Sequence, residues 1–144
     1  MKKWIKILIF LIALGAIAAF LVYKFYINKP HPDFEKLNPD YIVSAEELYK
    51  EFTTDKNAAE KKYNGKMIQL TGVINKLESN DSLTIAVFVF NEGDFGDEGI
   101  RCTMLPKYSN DISIFNLKMP ITLKAYCSGY NDTDIILENG SIIK

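Results

Sequence analysis

From Trp4 to Tyr26 apolar residues run almost without interruption, broken only by Lys6 and Lys24. At ~1.5 Å rise per residue, a helix of about 20 such residues crosses a hydrocarbon core of ~30 Å. Trp4 at one end and Tyr23 and Tyr26 at the other occupy positions where amphipathic aromatics anchor at the two interfaces. The pattern therefore predicts one N-terminal transmembrane helix over residues 4–26. A cleaved signal peptide is the alternative, because Ala16-Ile17-Ala18 offers small residues at suitable spacing. The apolar run continues past that point through Phe20, Leu21 and Val22, and no Cys follows that could take a lipid, which favours an uncleaved anchor.

Residues 27–43 carry three prolines and no helical period, and read as an extended tether. A soluble domain is then expected over residues 44–144. Ser44 with Glu47 makes a capping box, and Leu48 and Phe52 share one helical face. Asp55 restarts a second short helix through Ala58, Ala59 and Tyr63, which Asn64-Gly65 ends. Beyond Lys66 the period changes to two. Strands are predicted at Met67–Leu77, Leu83–Phe90, Ile100–Leu105, Ile121–Cys127 and Asp134–Glu138, with a helix or turn at Tyr108–Asn116. Gly72 interrupts the first strand, where a barrel needs a sharp bend. Asn91–Gly99 reads as a Gly-rich acidic loop. The fold class is mainly β (α+β). It is a five-stranded OB-type barrel preceded by a short helical hairpin or broken helix, with a helical element between the third and fourth strands.

Charge sharpens this picture. Five lysines and no acid lie in residues 1–29, which leaves 12 basic against 18 acidic residues in the remainder, a net of −6. An acidic domain is a poor generic partner for phosphate backbones, which reward clustered Lys and Arg. The positive charge before the helix, on Lys2, Lys3 and Lys6, favours a cytoplasmic N-terminus. The domain is then extracytoplasmic, periplasmic or at the cell surface.

The residues Ala58-Ala59, Lys62-Tyr63-Asn64-Gly65-Lys66, Ile68-Gln69-Leu70-Thr71-Gly72 and Leu123-Lys124-Ala125-Tyr126-Cys127-Ser128-Gly129, with Cys102 in the third strand, carry a resemblance. The stretch from Ser44 to Lys144 resembles the small bacterial OB-fold family described as similar to tRNA-anticodon-binding domains. The resemblance implies an OB barrel behind a signal or membrane segment. It implies no catalytic set, and a shared fold does not confer a shared ligand.

Four residues are the candidate ligand contacts. Phe88 and Phe90 would lie on the second strand and Arg101 and Thr103 on matching parity of the third, the face where OB barrels stack ligands on aromatics. The competing reading packs both phenylalanines beneath the N-terminal helices against Leu48 and Phe52. Cys102 and Cys127 fall on the apolar parity of their strands, either as a disulfide inside the barrel or as two independent core residues. Lys66, Lys76, Lys107, Lys118 and Lys124 are scattered and read as solubilising charge. Glu92-Gly93-Asp94-Phe95-Gly96-Asp97-Glu98 is oxygen-rich, but it lacks EF-hand spacing and reads as an acidic hairpin tip rather than a calcium site. The single histidine, His31, lies in the tether, which removes most Ser/His and Cys/His schemes. No catalytic residue, metal or cofactor is expected. The function expected is a membrane-anchored extracytoplasmic binding or envelope-assembly module for a protein, peptide, glycan or small ligand. The alternative is a single-stranded nucleic-acid-binding domain on the cytoplasmic side.

Overall fold

The computed structural model describes residues 2–27, 32–115 and 117–143. His31 lies outside them. The chain forms two compact units, divided after Pro32.

The first unit is the helix α1 (Lys2–Val22), whose last turn widens into π geometry over Tyr23–Ile27. None of its side chains is buried. The 26 residues Lys2–Ile27 are apolar enough to cross a membrane, and at ~1.5 Å per residue they exceed its ~30 Å core.

The second unit is mixed α+β, and seven strand segments make one sheet. They are β1 (Tyr41–Ser44), β2 (Met67–Val73), β3 (Lys76–Ser79), β4 (Thr84–Gly93), β5 (Gly96–Met104), β6 (Pro120–Tyr130) and β7 (Asp134–Ile142). Their spatial order is β1-β2-β6-β7-β5-β4-β3. Helices α2 (Ala45–Thr54) and α3 (Lys56–Tyr63) follow β1, and α4 (Ser109–Ile114) joins β5 to β6.

Five strands were expected, and the difference has two sources. The first barrel strand is broken at Ile74-Asn75 into β2 and β3. Its first half pairs with β6 and its second half with β4. Following β3-β4-β5-β7-β6-β2 therefore returns to the starting strand, which is how one strongly bent strand closes an OB barrel. Asn75 spans the break: its N–H donates to Val87 O at 2.9 Å, and its Oδ1 accepts from Val89 N at 2.7 Å. The second source is β1, which adds in parallel to β2 with Tyr41 opposite Ile68 and Ser44 opposite Thr71. Residues 41–43, read as tether, thus belong to the sheet. Asp40 secures the entry, with N–H to Met67 O at 2.8 Å and Oδ2 accepting from Met67 N at 2.9 Å.

The helices begin where their caps dictate. Ser44 Oγ accepts from Glu47 N and Asp55 Oδ1 from Ala58 N, each at 3.1 Å, satisfying orphan donors of the first turns. Leu48 and Phe52 of α2 and Ala59 and Tyr63 of α3 turn inward and join the barrel interior. That interior is built from Ile68, Leu70, Phe88, Ile100, Leu123, Ile135 and Leu137, with Ile112 of α4 closing one end. Gly72 is needed for approach: a Cβ there would come within 2.6 Å of the Ala45 methyl and 3.2 Å of the Phe88 ring.

The stretch Asn91–Gly99, expected as a loop, is the tip of a regular hairpin. β4 and β5 stay paired out to Gly93↔Gly96, leaving only Asp94-Phe95 as the turn. Alternation sends its carboxylates to opposite faces. Asp97 reaches Lys76, and Glu98 accepts from Asn91 Nδ2 at 2.8 Å.

Candidate ligand-binding face

Register decides which of the predicted contacts share a face. Phe88 pairs with Ile100, whereas Val87 pairs with Arg101 and Ile85 with Thr103. Directly opposed residues point to the same side of a sheet, so the four candidates do not converge. Phe88 points inward and is completely buried, which removes it as a ligand contact in this structure. Phe90 lies at the register shift between Val89 and Asn91. Its ring stacks on Tyr49 of α2, with centroids 5.0 Å apart. Phe88 thus packs beneath the helices with Leu48 and Phe52, whereas Phe90 stays 38% exposed beside Tyr49. Arg101 and Thr103 lie on the opposite, outward face.

The two cysteines are free thiols, both buried. Cys102 on β5 and Cys127 on β6 are each the partner of Leu137 on β7. They are thus two strands apart, and with ~4.8 Å per strand their backbones are too distant for a bond that needs Cα atoms within ~7 Å. Burial pushes the Cys102 thiol up to about 12 and the Cys127 thiol up to about 11.

The outward face of β3, β4 and β5 carries an ion-pair ladder. Lys76, Val87, Arg101 and Ile136 lie side by side across four strands. Lys76 Nζ lies 2.6 Å from Asp97 and 3.7 Å from Glu78. Arg101 reaches Glu78 at 2.7 Å and Asp134 at 3.1 Å. Val87, between the two cations, is only 1% exposed although it faces outward. Bridged cation stems of this kind cover apolar surface. Partial burial depresses the Arg101 guanidinium, but the hydrogen bonds it donates to Glu78 and Asp134 outweigh this and hold the pKa above its ordinary value. The hydrogen bond to Asp97 raises Lys76 in the same sense.

Asp134 is held from two sides, accepting from Gly99 N at 3.1 Å and from Arg101 Nε at 3.1 Å. The β6–β7 turn before it is set by Asn131 Oδ1, which accepts from Thr133 N at 3.1 Å and Asp134 N at 2.7 Å. A cleft of about 340 Å³ lies over this ladder, lined by Lys76, Phe95, Asp97, Glu98, Arg101 and Asp134. Phe95 is 100% exposed.

Sequence reasoning missed Phe95 and Asp134. The signal for Phe95 was present: an aromatic flanked by Asp94 and Gly96 at a hairpin tip has nothing to pack against. Nothing local marked Asp134, whose partners come from β5. Three lysines read as solubilising charge also have specific partners: Lys76 in the ladder, Lys107 on Glu35 at 2.5 Å, and Lys124, which donates to the carbonyls of Glu35 and Leu37 at 2.5 and 2.7 Å. Among the described residues, no three His, Cys, Asp or Glu side chains converge on a metal position.

The architecture has relatives of known structure. A protein from Klebsiella pneumoniae described as a "putative nucleic acid-binding lipoprotein" aligns over 81% of this chain and all of its own, with a TM-score of 0.54 and 18% identity. At that identity the likeness establishes the fold. A "putative aspartyl-tRNA synthetase" from Leishmania major aligns over 90% of this chain and 26% of its own, with a TM-score of 0.46 and 10% identity. No curated protein matches in sequence. The model of the tRNA_anti-like family matches residues 1–142, and the chain belongs to that family.

Proposed function

We propose that the chain is a membrane-anchored OB-fold binding module, not an enzyme, whose domain works outside the cytoplasm. Its ligand meets the outward face of β3, β4 and β5 and the Phe95 tip, and is a protein or peptide segment carrying positive charge. The observation that carries this reading is the neutralised ladder. Lys76 and Arg101 are the cations that line the cleft, and both are already paired to Glu78, Asp97 and Asp134. A phosphate would have to displace carboxylates from both. Three carboxylates, Glu78, Asp97 and Asp134, surround these two cations, so the ladder carries more negative than positive charge. Complementary charge then selects a cationic partner and speeds its encounter, while an exposed aromatic supplies the apolar contact typical of recognition sites.

The anchor reading is supported by the apolar helix Lys2–Ile27 and by the name of the Klebsiella neighbour, a lipoprotein. The same name favours a second reading, single-stranded nucleic acid. One titration separates the two. Full-length protein in detergent micelles is mixed with fluorescein-labelled single-stranded DNA and RNA, and with labelled oligolysine, at low salt. Anisotropy should rise for oligolysine and fall back after Asp97→Asn with Glu78→Gln, while oligonucleotides show nothing tighter than the ~10⁻⁴ M of weak non-specific contact. Micromolar, salt-dependent oligonucleotide binding that is lost with Arg101→Ala would replace this proposal with the nucleic-acid reading. Digestion of the domain by protease added to intact spheroplasts tests its side of the membrane.

A further inference from the structure

The connection from α4 to β6 puts apolar side chains into solvent. Ile114 is 83% exposed and Met119 59%, and Phe115 and Leu117 between them are partly exposed. Ile112, two residues before Ile114, is fully buried and fastens α4 to the barrel end. Single exposed apolar residues are ordinary, but four within six positions make a patch of the kind that marks a contact surface.

The course of the chain before the sheet supplies the occupant. Residues 33–38 do not hang free. Phe34 packs on Tyr126 with ring centroids 5.7 Å apart. Lys124 holds the Glu35 and Leu37 carbonyls. The Glu35 carboxylate pairs with Lys107 and accepts from Tyr108, which hold its pKa below the ordinary value. The arriving chain is therefore strapped to the turn that opens α4. From Tyr108 to Ile114 the helical path is short, ~9 Å. From Ile27 to Asp33 the backbone extends at most ~22 Å. An anchor ending at Ile27 thus keeps the α4 end of the domain on a short leash to its own membrane.

Resting on the anchor reading above, we infer that Ile114, Phe115, Leu117 and Met119 form a lipid-contacting loop, seated in the interfacial zone of the membrane that holds residues 2–27. Apolar loop residues beside lysines, here Lys107 and Lys118, suit that zone, where hydrocarbon and charged headgroups meet. The consequence is an orientation. β5 runs from the hairpin tip at Gly96 to Met104, next to the α4 end. Nine residues at ~3.3 Å separate Phe95 and its cleft from that end by up to ~30 Å, so on this inference Phe95 stays clear of the lipid.

The test exploits the single native tryptophan, Trp4. In a Trp4→Phe background, full-length protein carrying Met119→Trp, Ile114→Trp, Leu14→Trp or Phe95→Trp is reconstituted into vesicles of phosphatidylcholine with brominated acyl chains. Unchanged far-UV circular dichroism selects folded variants, and exposed positions 114 and 119 both tolerate the larger ring. The Leu14→Trp protein should be strongly quenched. The Met119→Trp and Ile114→Trp proteins should lose about half their emission with a blue shift, and the Phe95→Trp protein should be unaffected. Quenching of Leu14→Trp without quenching of Ile114→Trp and Met119→Trp overturns the inference and leaves the anchor standing. A blue shift of Met119→Trp that depends on protein concentration but not on bromine also overturns it, by assigning the patch to a second copy. Absence of quenching in Leu14→Trp overturns the anchor reading itself, and this inference with it.

Discussion

Phe88 fills the space left by Gly72 and Ala45, and its ring is shielded from solvent on every side. Phe88→Ala should therefore cost about 3–5 kcal/mol, transfer and cavity together. Phe90→Ala, which loses a stack on Tyr49 at an exposed position, should cost about 1 kcal/mol. Urea unfolding of both variants checks the contrast, and equal losses would contradict the difference in burial. The thiols give a second residue-level expectation. Folding raises both Cys pKa values from near 9 to about 12 and about 11, because burial penalises the thiolate. Below pH 9 both states keep their protons and stability is unaffected. Above it the unfolded chain loses protons that the native state retains, so stability falls by about 1.4 kcal/mol per pH unit per thiol until the folded pKa is reached. Cys102→Ala should flatten that decline by its share. Native protein at pH 8 should also resist thiol reagents that react once it is unfolded. These burial patterns were legible as parity along each strand. Which of two parities faces inward at Phe88 stayed open between two readings, and the partner register that separates Phe88 from Arg101 was not legible.

Among the elements, the helix caps followed local rules closely. Ser44 and Asp55 cap the helices that their spacing predicted, because an Oγ or Oδ three residues before an N–H needs only local geometry. β1 and the strap of residues 33–38 escaped notice for the opposite reason. A four-residue strand after three prolines has no period of its own, and its stability comes from β2 alongside it. The strap likewise depends on Lys124, some 90 residues away. Lys124→Met keeps the side-chain stem but removes three donors. It should raise amide exchange in residues 34–38 by ten-fold or more, about 1.4 kcal/mol of local opening, and leave β4 and β7 protected. Exchange by mass spectrometry reads this directly. Uniform loosening of the whole domain would show that Lys124 supports the barrel rather than the strap.

For the molecule as a whole the deciding event is closure. The barrel closes because one strand bends at Ile74-Asn75 and serves two neighbours, with the Asn75 side chain supplying the acceptor that the broken ladder lacks at Val89. Asn75→Ala removes that partner from the Val89 N–H at a solvent-accessible position and should cost about 0.5–1.5 kcal/mol. Loss in a single cooperative thermal transition, with the slope of denaturant unfolding unchanged, is the expected result. A biphasic transition would mean that the β3-β4 edge opens separately. Charge acts on the whole domain as well. The residues beyond the apolar helix carry an acidic excess, and several of their cations are spent internally, on Glu35, Glu78, Asp97 and strap carbonyls. Composition alone showed the excess, while the pairing required strands and loops from distant parts of the chain.

Local spacing and bulk composition were enough to specify the apolar helix, the helix starts, the strand period and the OB class, because each depends on residues a few positions apart or on the chain as a sum. The break and closure of the first strand, the separation of the cysteines by β7 and the ladder under the Phe95 cleft arise only in the folded chain. Those depend on register between distant strands, and shifting a strand by one residue turns every side chain to the other face.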